Sequence, residues 1–220
     1  MRSSIEKKNS RSFWILLLGA WGVPVGCGII LLGLHDATPG VIGKTPRTWP
    51  ADTRIPLDRT LPTLIVFAHP KCPCLAASLE ELDRIAAKTH GELRIIVMLY
   101  RPRSSADSWT RTAHRRRAAA IPGVDVRIDP DGIEARRFGA ATSGHVALFN
   151  RNGSRLYFGG ITASRGHSGD NPGCDAVVKA ALDGGIAETF QPVFGCPIYD
   201  ESATADLASA DRVVHHQGTR

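Results

Sequence analysis

Apolar positions fall into one long run near the N-terminus and a series of short ones after it. Residues 13–34 carry no charged side chain and are rich in Leu, Ile, Val and Gly. At about 1.5 Å of rise per residue, a helix of that length crosses a hydrocarbon core roughly 30 Å thick. The pattern therefore predicts a transmembrane helix over 13–34. Residues 35–60 hold Thr38, Pro39, Gly40, Gly43, Pro46, Pro50 and Pro56, which disfavour any long regular element and predict a linker.

From residue 61 the periodicity becomes that of a folded domain. Residues 63–68 form a short apolar run suited to a buried central strand, and they lead directly into His69-Pro70-Lys71-Cys72-Pro73-Cys74. Leu75, Leu79, Leu82, Ile85 and Ala86 recur at helical spacing, with charged residues between them and Gly91 just past the end. Residues 94–100 predict a second buried strand, 106–120 a helix closed by Pro122-Gly123, 124–128 a short strand and 133–138 a short helix. Residues 145–149 and 155–158 predict an antiparallel hairpin turning at Asn152-Gly153, and 174–182 a last helix. This order implies an α/β domain, a mixed sheet covered by helices on both faces, over 61–190, with a C-terminal tail over 191–220.

Charge settles the orientation of the anchor. Arg2, Lys7, Lys8 and Arg11 against Glu6 precede the apolar run, so the positive-inside bias puts the 1–12 tail in the cytoplasm and the domain outside. A cleaved signal peptide is the competing reading, and a lipidated Cys27 a variant of it. Against both, the apolar run continues past Cys27 through Ile29, Ile30, Leu31 and Leu32. The formal net charge of +6 comes without a nucleic-acid motif, so it is topological and solvating. His114-Arg-Arg-Arg117 reads as a solvated helix face, Trp109 as core, and His215-His216 as part of a polar tail.

The candidate chemistry lies in the cysteines. A strand, then cysteines, then a helix makes a thiol reactive, because the helix start offers N–H groups and partial positive charge to a thiolate. Lys71 adds a cation, and Pro73 suits a first helical turn. Cys72 and Cys74 can then cycle between dithiol and disulfide. A bridge between residues two apart closes almost no loop, which argues against a purely structural role. His69, Cys72 and Cys74 also supply soft ligands suited to Cu(I), the alternative reading for this site. A scaffold without redox function is a third.

Residues Phe67-Ala-His-Pro-Lys-Cys-Pro-Cys74, Ile128-Asp-Pro-Asp-Gly132, Phe138-Gly139 and Asn150-Arg-Asn-Gly153 carry a resemblance to the thioredoxin superfamily over roughly 61–186. Within that superfamily it resembles especially the membrane-tethered bacterial group that supports cytochrome maturation, and more closely RedB-like thioredoxin-fold proteins. Gly159-Gly-Ile-Thr162, Arg165-Gly-His-Ser-Gly-Asp-Asn171 and Phe194-Gly-Cys-Pro197 extend the resemblance to RedB-like proteins. The resemblance implies a thioredoxin-like fold, a single-pass protein of the bacterial inner membrane with its soluble domain in the periplasm, and protein thiols or disulfides as partners. It implies thiol–disulfide oxidoreductase activity without a cofactor, or Cu(I) binding or delivery in the copper reading. Two departures stand out: a single residue separates the cysteines where the family has two, and Gly144 falls where the family has a cis-proline.

If the hairpin leaves from the cysteine end, the loop 159–173 returns to it. That gives His167, Asp170 and Asn171 a topological reason to line the site, with His167 as a proton-transfer group or ligand. The plainer expectation for this loop is a glycine-rich connection whose polar side chains cap the last helix. Cys174 and Cys196 flank that helix and invite a structural disulfide, whereas Cys196 alone invites a role as a resolving thiol. Four extracytoplasmic cysteines allow three pairings, and spacing does not choose among them.

Overall fold

The computed structural model describes residues 2–185 and 190–199, with side chains described from residue 13. The chain divides into two compact units, Met1–Thr38 and Pro39–Arg220. The first is one helix, α1 (Arg2–Ala37), which carries Pro24 inside it. Its stretch Phe13–Ala37 has a mean hydropathy of 2.3 and is long and apolar enough to cross a membrane.

The second unit is built on a five-stranded sheet. Its strands are β1 (Thr63–Ala68), β2 (Arg94–Arg101), β3 (Val124–Pro130), β4 (His145–Phe149) and β5 (Arg155–Gly159), in the order β3-β2-β1-β4-β5. β1 pairs parallel with β2, and β2 with β3; β4 runs antiparallel to β1, and β5 to β4. The helices are α2 (Leu75–Thr89), α3 (Ala113–Ala120), α4 (Ile133–Arg137) and α5 (Pro172–Asp183).

The continuous apolar run of β1 follows from its central position. Leu64, Val66 and Ala68 face a core with Leu75, Leu79, Leu82 and Ile85 of α2 and Val177 of α5, while Ile65 and Phe67 face a second core with Phe138 and Phe149. Strand side chains alternate in direction, so only a strand with both faces covered can be apolar throughout. Each fully buried aliphatic side chain contributes about 1.5–3 kcal/mol relative to leaving it exposed.

Three segments differ from their sequence-based expectations. The helix expected over 106–120 is a 3-10 turn (Asp107–Thr110) followed by α3, whose start is capped by the Thr112 hydroxyl accepting the Arg115 N–H at 3.3 Å. Ser and Thr at such positions bond locally and set a new helix start.

The segment 39–60 is not a free tether. The Trp49 N–H donates to Gly153 O at 2.7 Å, and the indole packs edge-on against Phe138 and Phe149 at 5.3 and 5.2 Å. Gly43 lies so close to the backbone that a Cβ there would meet Gly139 O at 2.7 Å. The segment lacks periodicity because it docks through backbone groups and single side chains.

The start of the expected C-terminal tail is also part of the domain: Val193, Ile198 and Tyr199 are buried. His215 and His216 lie outside the described residues.

His145, at the start of β4, is fully buried, with Nε2 3.2 Å from the Thr45 hydroxyl. Burial, helped by the nearby Arg155 cation, pushes its pKa down from 6.5 to about 4. The folded chain thus refuses a proton that the unfolded chain accepts below pH 6.5. Stability is complete above that pH and falls as the pH drops toward 4, by about 3 kcal/mol. Denaturant titrations across this range should show that slope, and His145→Gln should flatten it; an unchanged slope would remove His145 as the cause.

Candidate active site

The cysteine segment leaves the C-terminal end of β1 and enters α2 through two tight turns, in which the Cys72 N–H donates to His69 O at 2.9 Å and the Leu75 N–H to Cys72 O at 3.1 Å. Cys74 is the residue that begins α2, with helical backbone angles. The turn thereby sets two different environments: Cys72 is buried and packs within the α2-side core, whereas Cys74 is half-buried.

A third cysteine joins them. The Cys196 N–H donates to Cys72 Sγ at 3.4 Å, which places the two residues side by side. Burial raises the Cys74 thiol above its ordinary pKa, the neighbouring Cys72 sulfur adds to this, and the Arg165 guanidinium opposes it. Burial, followed by the hydrogen bond with Cys72, pushes Cys196 up to about 12. Neighbouring sulfurs disfavour more than one negative charge among them. Arg165 and the start of α2 both favour that charge at Cys74.

Strand register accounts for the arrival of the second loop. Phe67 of β1 lies opposite His145, and Val146 opposite Gly159, so the loop after β5 begins at the cysteine end of the sheet. It is Arg165 that this loop turns to the thiols. His167 is exposed, and its Nδ1 lies 2.7 Å from Arg165 O, within its own loop. Asn171 caps α5 by accepting the Cys174 N–H at 2.8 Å, as the plainer expectation for this loop holds. The detectable signal for Arg165 was that it is the sole Lys or Arg between residues 159 and 173.

Other expected participants are placed elsewhere. Cys174 sits in the first turn of α5 beside Glu81, where burial and that carboxylate push its thiol up to about 11. The structure therefore brings Cys196 to Cys72 and leaves Cys174 apart. The His69 ring stacks on Tyr100 at 5.7 Å and meets Trp109 edge-on at 5.3 Å, and its Nδ1 accepts the Lys71 N–H at 3.3 Å. Lys71 Nζ lies over the Trp109 ring at 4.6 Å. Trp109 is thus not core: it is half-buried in an aromatic group that holds His69 and Lys71 beside the cysteine turn. Among the described residues, no group of three or more His, Cys, Asp or Glu is arranged to hold a metal ion.

Gly144 adopts φ +93°, and its N–H donates to Phe67 O at 2.8 Å; no cis peptide occurs among the described residues. The Ser143 hydroxyl accepts the His69 N–H at 3.0 Å, which ties this turn to the cysteine segment. A cavity of about 230 Å³ is lined by Gly40, Val41, Thr142, Arg165, Gly195 and Pro197 among others.

No protein-family model matches the chain, and no curated protein matches it. Solved structures do. An uncharacterised conserved protein from Geobacillus kaustophilus aligns at 18% identity with a TM-score of 0.54, over 75% of this chain and 93% of that one. A hypothetical protein from Sinorhizobium meliloti aligns at 22% identity and 0.53, over 74% and 96%. A secreted Mycobacterium tuberculosis disulfide oxidoreductase aligns at 15% and 0.40, over 58% and 84%. Likeness at this level is one of fold. The parallel pair β1 and β2, the antiparallel hairpin β4 and β5, and the helix after the cysteines make this a thioredoxin-like fold.

Replacing Arg165 with Met removes the cation that favours the Cys74 thiolate. Alkylation of Cys74 by iodoacetamide at pH 8, followed by mass spectrometry, should slow by roughly three- to tenfold. An unchanged rate would show that Arg165 does not act on this thiol.

Proposed function

We propose that this chain is a membrane-anchored, extracytoplasmic thiol–disulfide oxidoreductase acting through Cys72 and Cys74. The observation that carries the reading is the asymmetry of the pair: Cys74 is half-exposed at the start of α2 with Arg165 beside it, and Cys72, two residues before it, is buried. In this mechanism the Cys74 thiolate attacks a protein disulfide. One thiol of the substrate leaves, and a mixed disulfide forms at Cys74. Cys72 then attacks Cys74 Sγ, releasing the second substrate thiol and closing Cys72–Cys74.

The apolar stretch of α1 supports an anchor over 13–34, and the basic residues before it support a cytoplasmic tail over 1–12. The redox domain would then face the periplasm, where protein thiols and disulfides are its substrates. In the copper reading, His69 would serve with Cys72 and Cys74 while its ring packs against Tyr100 and Trp109. His167, with its Nδ1 against Arg165 O, would support the loop that presents Arg165 or transfer protons at the site.

The double variant Cys72→Ser, Cys74→Ser should lose thiol–disulfide exchange with a model disulfide by more than tenfold while its circular dichroism stays unchanged. Exchange at the original rate would overturn the reading. Stoichiometric Cu(I) in protein purified under reducing conditions, lost on Cys72→Ser, would replace it with copper binding.

A further inference from the structure

The stretch 190–199 crosses the domain as a strap, and its docking is mostly backbone to backbone. Ser143 N–H donates to Cys196 O at 2.8 Å, and Ile198 N–H to Ala141 O at 2.9 Å, around an antiparallel bridge between Thr142 and Pro197. Upstream, Gly160 N–H donates to Gln191 O at 3.0 Å, and Gly40 N–H to Val193 O at 2.8 Å. The Arg165 guanidinium donates to Gly195 O. The approach at Gly195 is so close that a Cβ there would lie 2.0 Å from Ser143 O. Val193, Ile198 and Tyr199 are buried, so the strap is fixed on both sides of Cys196. Such pairing fixes register, and this register sets Cys196 against Cys72.

We infer that Cys196 is a third redox-active thiol, the partner to which Cys72 passes its disulfide. The inference rests on the reading of Cys72 and Cys74 as an exchanging pair. Cys72 neighbours both other cysteines: it lies two residues before Cys74 in one tight turn, and its Sγ accepts the Cys196 N–H at 3.4 Å, so a relay from Cys74 through Cys72 to Cys196 stays within one part of the fold. After Cys72–Cys74 forms, the Cys196 sulfur, its proton lost to solvent, attacks Cys72 Sγ. The Cys72–Cys74 bond breaks, Cys74 leaves as a thiolate beside Arg165 and takes up a proton, and Cys72–Cys196 forms. This step transfers no net electrons; the two electrons gained by the substrate disulfide left the chain when Cys72–Cys74 closed.

Two features favour the second bridge. A disulfide between residues two apart closes a small, strained ring, whereas residues 72 and 196 are far apart in sequence and already held in contact. Releasing Cys74 also frees the half-exposed thiol at the start of α2, where the helix N-terminus and Arg165 favour negative charge. The stored disulfide staples the strap over residues 141–143 and restores the exposed thiol.

The test is peptide mapping of the full chain. Reduced protein is treated with one equivalent of a small-molecule disulfide, free thiols are blocked with a maleimide, and the sample is digested with trypsin without reduction. The expected product joins the peptide of residues 72–84 to the one carrying Cys196, with the maleimide on Cys74. A disulfide confined to residues 72–84, with Cys196 fully blocked, would overturn the inference while leaving the exchanging pair intact. Failure of any disulfide to form at Cys72 would overturn both. Gly195→Ala changes no thiol but displaces the strap, and should lower the cross-linked fraction severalfold in favour of Cys72–Cys74; an unchanged fraction would contradict the role given to the strap.

Discussion

The covering of β1 on both faces is the constraint from which the rest of the domain follows. A six-residue strand with every side chain buried cannot stand at an edge, so it takes the centre of the sheet, between a parallel and an antiparallel neighbour. Its C-terminal end then projects the cysteine turn from the middle of that sheet edge, and the apolar stripe of α2 must fold back over the same strand. Antiparallel β4 begins at this end and β5 returns to it, which brings in the Gly144 turn and the loop of Arg165. The site is thus assembled from the ends of the most deeply buried strands.

Around that fixed turn the chemistry is one of graded sulfur environments. Cys72 is closed off, Cys74 opens toward solvent beside a guanidinium, and Cys196 is held in place by strand-like pairing of the strap. The thiols of Cys74 and Cys196 are both raised by burial and by their shared neighbour Cys72. The Arg165 cation opposes that rise at both thiols. Cys174 is buried against Glu81 and set apart from this group. The aromatic group of His69, Tyr100 and Trp109 braces the other flank of the turn.

The sequence made the periodic elements legible and the docked ones opaque. The apolar runs of β1 and β2, the helical spacing of α2 and the Asn-Gly turn of the hairpin all encode local geometry, and each stands where its pattern placed it. The position of the cysteines between β1 and α2 was equally visible. The segment 39–60 and the strap were not, because they attach through backbone hydrogen bonds that leave no side-chain period. Topology identifies the loop 159–173 and not which of its side chains turns to the thiols, so Arg165 carries no sequence signal beyond its charge. An aromatic residue among polar ones, such as Trp109, carries no sign of whether it packs inside or against a half-buried imidazole.

The central claim is that two electrons leave this chain from one sulfur group. The direct measurement is a thiol count on the full-length protein equilibrated with redox buffers from about −120 to −300 mV. The account predicts a single two-electron transition in which two thiols disappear from the set Cys72, Cys74 and Cys196 while Cys174 stays free. A thiol count that is constant across the range, or a loss that falls on Cys174, would contradict it.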